Sequence, residues 1–406
     1  MTPVTSSGLV IGRHRLRTPV VLAPMAGITN QAYRRLCREQ AAAAGGDGVF
    51  VSEMVTSRAL LERTEESMRL IAHDADESPR SVQLYGVDPG TVAAAVRMLV
   101  SEERADHIDL NFGCPVPKVT RKGGGSALPW KLGLFREIVG RAVATAAPAG
   151  VPVTVKMRMG IDEDHLTYLE AGRIAEGEGV AAVALHARTA AQYYAPSADW
   201  TAIARLKQAV TTIPVLGNGD IWSAADAVDM VRRTGCDGVV VGRGCLGRPW
   251  LFADLARAFA GHRRASTDDQ AVGRGDTRPS LGVVLATMRR HVEVLIEHYA
   301  EVYPGDAERR ACRDIRKHIA WYLKGYVVGH DVRARLAMVG SLTEFDAITA
   351  SLDGEQPHPG EPAEGPRGRT GAARRVSLPD GWLTSRELDD DAAAEVRQAE
   401  LAVSGG

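Results

Sequence analysis

Eight times in the first 245 residues a short run of Val, Ile and Leu ends in glycine, amide or charged residues, and a longer segment with helical spacing comes next. The runs are Val20–Ala23, Val49–Val51, Ser81–Leu84, His107–Leu110, Val153–Val155, Ala182–Leu185, Pro214–Leu216 and Gly238–Val241. Segments such as Pro89–Glu103, Leu166–Glu178, Trp200–Ala209 and Ser223–Arg233 fill the gaps as helices. Near-continuous apolar strands alternating with helices predict a parallel sheet covered on both faces. Eight such units in this length predict an α/β fold of the (β/α)8 TIM barrel type. A doubly wound sheet is the rival. It would carry a glycine-rich dinucleotide turn after its first strand, where this chain has Pro24-Met25-Ala26-Gly27.

In a barrel the carboxyl ends of the strands share one mouth, so the residues just after each strand decide what the chain can do. The exits read Pro24-Met25-Ala26-Gly27, Ser52-Glu53-Met54, Tyr85-Gly86, Asn111-Phe112-Gly113-Cys114-Pro115, Lys156-Met157-Arg158, His186-Ala187-Arg188, Gly217-Asn218-Gly219-Asp220 and Gly242-Arg243-Gly244. One polar exit is an ordinary turn; eight together predict a shared site. Cys114 lies between Gly113 and Pro115, which shape a tight turn. The other cysteines, Cys37, Cys236, Cys245 and Cys312, read as small buried residues. An odd, scattered set of five with no CxxC pair argues against a disulfide framework or a zinc cage and fits a reducing compartment. No metal site is expected.

The barrel is expected over residues 9–260, a polar linker over 261–280 and an all-α helical domain over 281–352. Residues 353–406 are expected to form a mostly disordered tail, because Asp353–Arg375 is dense in Pro, Gly, Glu and Arg; a short amphipathic helix is expected over 389–402. Net charge is −1 in 406 residues, so any RNA contact must come from a local patch. One such patch is a stripe of Arg309, Arg313, Arg316, Lys317 and Lys324, spaced to share one side of a helix, with Trp321 and Tyr326 nearby as aromatic surface. Cys312, Ile315, Ile319, Tyr322 and Leu323 fall on the opposite, packed side. No apolar run approaches the roughly 20 residues of a spanning helix, and the N-terminus has no signal-peptide core, so a cytoplasmic protein is expected.

These exits apart from Tyr85-Gly86, together with Gln83, Lys118–Leu128, His186-Ala187-Arg188-Thr189, Gly247-Arg248-Pro249-Trp250, Arg316-Lys317-His318 and Trp321-Tyr322, resemble the tRNA-dihydrouridine synthase family, and within it the bacterial B-type branch. The likeness covers residues 9–350, and NxGCP followed by RK and GSAL is its most specific part. It implies an oxidoreductase that carries FMN at the barrel mouth, takes electrons from NADPH (or NADH), and reduces a uridine of tRNA, in the D-loop. No side chain can supply a hydride, so a cofactor is also required on chemical grounds.

On that reading Cys114 is the acid that protonates the ring, since a thiol with pKa about 8.5 is mostly protonated at neutral pH. Pro24, Met25 and Ala26 would pack beside the flavin ring, and the Gln83 amide would meet its imide edge. Lys156 would stabilise negative charge on the reduced ring. Asn218, Gly219, Asp220, Gly242 and Arg243, with His186 beside them, would hold the phosphate. Asn111 would read the uracil edge. Lys118, Arg121 and Lys122 with Gly123-Gly124-Gly125 form a basic, flexible loop that would close on the RNA backbone, and Arg313 and Lys317 would bind phosphates from the helical domain. A monomer is expected. An FMN barrel acting on a free small molecule and a non-enzymatic flavin- or RNA-binding module remain as alternatives.

Overall fold

The computed structural model describes residues 8–265, 276–368, 370–388, 393–396 and 398. A two-stranded antiparallel hairpin, β1 (Leu9–Ile11) and β2 (His14–Leu16), leads into β3 (Val20–Leu22), β4 (Val49–Thr56), β5 (Ser81–Tyr85), β6 (His107–Phe112), β7 (Val153–Arg158), β8 (Ala182–His186), β9 (Val215–Asn218) and β10 (Gly238–Val241). The last eight are parallel and close in chain order, with β10 pairing both β9 and β3. Closure removes both edges and excludes the doubly wound alternative.

The period of two along each strand sorts the residues. Val20, Leu22, Phe50, Ile108, Leu110, Val153, Val155, Val183, Leu185, Val239 and Val241 face outward into one core with the surrounding helices. Val21, Val51, Ala182, Ala184, Leu216 and Val240 face inward, where the hairpin residues Leu9, Ile11 and Leu16 plug the floor. The helices around the sheet are set by local signals. Ala224–Thr234, for example, starts at a reciprocal Ser223–Asp226 capping box and ends at Gly235 in the left-handed conformation.

The helices Leu281–Ala300, Ala307–Tyr322, His330–Leu336 and Leu342–Thr349 come after the barrel and bury their own core of Val284, Met288, Leu295, Cys312, Ile315, Ile319, Leu336 and Phe345. They dock closely on the exit of β10. A Cβ on Gly247 (φ +65°) would come within 2.3 Å of the Trp321 carbonyl carbon. Beside it the Tyr33 hydroxyl donates to the Cys245 carbonyl at 2.6 Å, and its ring lies 5.5 Å from that of His318. Arg34 and Glu77 form a fully buried ion pair at 2.7 Å, and the same guanidinium donates to the carbonyls of Thr29 and Ala72. With its donors so satisfied the pair is tolerable, and removing one partner would cost about 3–5 kcal/mol.

Two expectations are corrected. The helix Leu251–Ala265 continues into the start of the stretch read as a linker; residues 266–275 lie outside the described set. The tail from residue 353 to 388 is laid along the barrel instead of being disordered. Trp382 and Arg367 are 4% and 5% exposed, and Val376, Leu378 and Leu383 pack on the barrel core. Composition misleads here because it averages over a segment in which a few side chains, Arg367, Arg374, Trp382 and Arg386, find partners on the barrel and the helical domain. The helix expected over 389–402 lies largely outside the described residues. Among the described residues no helix is long and apolar enough to cross a membrane.

Candidate active site

Alternation fixes which polar residues enter the barrel. Ser81 and Gln83 on β5, His107, Asp109 and Asn111 on β6, and Thr154, Lys156 and Arg158 on β7 share the parity that faces inward, as do His186 on β8 and Asn218 on β9. Register then brings them level: Gln83 pairs with Asp109, Asn111 with Lys156, Arg158 with His186, and His186 with Asn218. Most of the expected site residues therefore converge on one rim, as the exits imply.

A hydrogen-bonded column rises through the β5–β7 side. His107 bonds Ser81 Oγ at 2.7 Å and Thr154 Oγ1 at 2.9 Å. Asp109 accepts from Thr154 Oγ1 at 2.6 Å and from Gln83 Nε2 at 2.7 Å. Burial pushes the Asp109 carboxyl up to about 6, against those two donors and the Lys156 charge. Gln83 Oε1 in turn accepts from Asn111 Nδ2 at 2.9 Å. Asn111 Oδ1 accepts from the backbone N–H of Gly113 at 3.1 Å and of Cys114 at 3.0 Å. The Asn111 amide thus shapes the acid loop and orients Gln83.

Cys114 is half-buried, whereas Cys37, Cys236, Cys245 and Cys312 are buried. Its carbonyl accepts from both the N–H and Oγ of Ser126 at 3.1 Å. Arg158, 3% exposed, braces the same loop through the Gly113 carbonyl at 3.0 Å and ties it to the β8 exit through the carbonyls of Thr189 and Tyr193, both at 2.8 Å. Burial pushes the thiol up, opposed by the Val116 N–H and the Arg158 and Lys156 charges. Lys156 Nζ has no hydrogen-bond or ion-pair partner among the described residues, and burial and Arg158 pull its ammonium down to about 8.

The β8–β10 side is cationic. Arg188 holds Asp220 by two bonds of 2.7 Å and donates to His186 Nε2 at 3.3 Å. Asp220 also accepts from the Ala198 N–H and lies 3.8 Å from Arg243. Its carboxylate therefore braces the arginines of this side. Arg243 lies 4.1 Å over the Tyr194 ring and 5.1 Å from that of Trp222. Burial, with Arg158, Lys156, Arg188 and Arg243 around it, keeps His186 neutral, its pKa far below the usual value. Asn218 Nδ2 donates to the Val240 carbonyl at 2.7 Å, bridging β9 to β10. Pro24, Met25 and Ala26 complete the ring at the β3 exit, where the Gly27 N–H donates to Glu53.

The glycine loop is closely packed. A Cβ on Gly124 would meet the Tyr85 ring at 2.5 Å, and one on Gly125 would meet the Cys114 carbonyl oxygen at 2.4 Å. These glycines permit close approach. Lys118 and Arg121 beside them are exposed. On the helix Ala307–Tyr322 the expected stripe is thinned. Arg316 donates to the carbonyls of Met338 and Val339, and Lys324 to those of Glu364 and Pro366. Tyr326 is buried, its hydroxyl on the Pro279 carbonyl. Arg313 and Lys317 remain exposed, Lys317 beside Asp314. Among the described residues no cluster of His, Cys, Asp and Glu could hold a metal ion.

A family model described as dihydrouridine synthase (Dus) matches residues 21–353. A probable tRNA-dihydrouridine synthase of Mycobacterium tuberculosis is 54% identical over 403 residues, covering 99% of this chain and 98% of its own. One of Mycobacterium leprae is 50% identical over 407 residues, covering 95% and 100%. The tRNA-dihydrouridine synthase B of Pseudomonas aeruginosa is 37% identical over 342 residues, covering 84% and 94%. With a barrel whose inner rim carries this constellation, the chain belongs to the dihydrouridine synthase family, on its B-type branch.

Proposed function

We propose that this protein is a tRNA-dihydrouridine synthase that binds FMN at the barrel mouth, draws electrons from NADPH, and reduces a uridine of the tRNA D-loop with Cys114 as proton donor. The observation that carries the reading is the meeting, at one rim, of a single half-buried thiol with a half-buried ammonium that has no partner among the described residues. Reduced FMN, when bound, supplies the hydride for carbon 6 of the uracil ring. The residues present fit it. Lys156 offers an unsatisfied cation for its electron-rich ring, Gln83 an amide already fixed by Asp109 and Asn111, and Pro24, Met25 and Ala26 a backbone edge. The field of Arg158, Arg188 and Arg243 that holds His186 neutral is one into which a phosphate can settle, with Asn218, Gly219 and Gly242 lining it.

The part played by Cys114 is set by its protonation. Burial keeps the proton on sulfur, so the thiol can deliver it to carbon 5 as charge builds there. The exposed Lys118 and Arg121 beside it, and Arg313 and Lys317 on the helical domain, supply charge for the RNA backbone. Such an enzyme works in the cytoplasm, where tRNA is matured.

The purified protein should be yellow and bleach with NADPH. Transfer RNA incubated with both should gain two mass units at one nucleoside, read by mass spectrometry after digestion. A protein that neither binds added FMN nor oxidises NADPH sinks the flavin assignment; equal reduction of free uracil or UMP sinks the tRNA assignment.

A further inference from the structure

We propose that Trp382 is a positioning residue for the acid loop, docked on it from a C-terminal strap that crosses the rim of the barrel. The inference rests on the role given to Cys114 above, and the strap lies wholly beyond residue 353, where the family match ends. The strap is pinned in three places. At the helical end Arg367 donates to the carbonyls of Trp321 at 2.6 Å and of Ala363, while Arg248 pairs with Glu364 at 3.1 Å. At the β8 exit the Arg374 N–H donates to the Ala191 carbonyl at 2.9 Å, and its guanidinium lies 3.9 Å over the Tyr193 ring. At the acid loop Lys131 donates to the carbonyls of Ser385 at 2.8 Å and Glu387 at 3.1 Å, and Arg386 to that of Trp130 at 3.0 Å.

The third anchorage is built around the Trp382 ring. Its Nε1 donates to the Ala127 carbonyl at 3.0 Å, and the Lys131 ammonium lies 5.0 Å from the ring. On its other side the ring fills the space that a Cβ on Gly123 would need, 2.5 Å away. Trp382 thus touches the loop at 123 and at 127. Between those contacts sit Gly125, packed on the Cys114 carbonyl, and Ser126, which holds that carbonyl by two hydrogen bonds. Every glycine in this turn adds backbone freedom that must be removed to aim the thiol. Bracketing the two residues that carry Cys114 removes it. Misplacing a reacting group by about 1 Å can cost ~100-fold in rate.

The test uses the full chain with Trp382→Ala and Trp382→Phe. In the holoenzyme, Trp382→Ala should slow uridine reduction ~10- to 100-fold while NADPH still bleaches the flavin at the wild-type rate. Trp382→Phe keeps an aromatic ring against the loop without the Nε1 donor or the outer ring edge that meets Gly123, and should recover part of the loss. A readout independent of flavin is the rate at which iodoacetamide alkylates Cys114, followed by peptide mass spectrometry; it should rise several-fold in the alanine variant and less in the phenylalanine variant. Wild-type alkylation and uridine reduction in Trp382→Ala would overturn the proposal. So would equal losses of bleaching and uridine reduction in both variants, which assign Trp382 to the fold alone. A wild-type protein that makes no dihydrouridine defeats the functional reading instead, and the alkylation rates still decide whether Trp382 holds the loop.

Discussion

Burial acts on Cys114 and Lys156 in opposite directions, with one consequence for pH. It raises the thiol, which keeps its proton, and lowers the ammonium to about 8, which sheds its own early. Below about pH 8 both groups are protonated, the state that the proposed chemistry needs. As pH rises through about 8 Lys156 is the first to fail, so dihydrouridine formation should fall there, and Lys156→Met should be slow throughout and lose that limb. A rate that stays level to higher pH would show that this charge is not used. Cys114→Ala should leave NADPH bleaching intact and lower uridine reduction ~100-fold or more; unchanged product would end its assignment as the acid. Both residues are legible in the sequence because Cys114 follows β6 in a glycine–proline turn and the Lys156 charge ends the apolar run of β7. Asp109 stands inside a strand and no exit motif marks it, although His107, Asp109 and Asn111 alternate along β6 with Ile108 and Leu110. That period of two signals a polar inner wall, which a reading of the strand as a continuous apolar run hides. Which groups an amide will satisfy is partly a different matter: the bonds of Asn111 to the Gly113 and Cys114 N–H are a local side-chain turn, but its bond to Gln83 crosses from β6 to β5 and no local pattern records it.

Among the elements, the helix Ala307–Tyr322 shows how far periodicity reaches. Its apolar side, Cys312, Ile315, Ile319 and Tyr322, is buried as the spacing predicts. The fate of its cations is not written in the same spacing. Arg316 is taken up by carbonyls some 22 residues away, and Lys324 just beyond by the strap; both partners are ends of other segments. Arg313 and Lys317 stay exposed, and on the proposed function they are the pair that would meet RNA. Replacing both by Ala should weaken tRNA binding and lower the salt slope by about 1 for each phosphate no longer neutralised. Flavin bleaching by NADPH should not change, because both side chains are exposed on the helical domain. An unaltered slope, measured by filter binding over a salt series, would return this helix face to plain solvation. The strap is the opposite case, an element with almost no periodic signal. It is held by arginine and lysine side chains reaching backbone carbonyls and by one tryptophan, so only three-dimensional partners could reveal it.

At the scale of the whole molecule, the seam between barrel and helical domain and the barrel floor are built partly from neutral histidines. His291 bonds the Tyr322 hydroxyl at 3.1 Å, His298 the Gln31 side chain at 2.9 Å, and His107 sits between Ser81 and Thr154. Burial pushes His291 and His298 down to about 4 and His107 to about 3. Unfolded, each titrates near 6.5. Above that value both states are neutral and the histidines contribute no pH dependence. Below it the unfolded chain takes up protons that the folded one refuses, so stability falls with pH until the folded values are reached. At pH 5 each histidine costs about 2 kcal/mol, about 6 for the three together. Asp109 works the other way. Its raised value means that the folded state gains its proton first, between about 6 and the unfolded 3.9, and that offsets only about 1–2 kcal/mol at pH 5. The histidines win, and the difference is comparable with the roughly 5–15 kcal/mol that folded domains have in all. Urea midpoints should therefore hold level from pH 8 to 7 and drop steeply between pH 6.5 and 4. His298→Gln keeps a partner for Gln31 without a titrating ring, and should lose less over that interval than the wild type. A midpoint that stays level to pH 5, or an equal loss in that variant, would mean that the seam opens to water before its histidines are forced to charge.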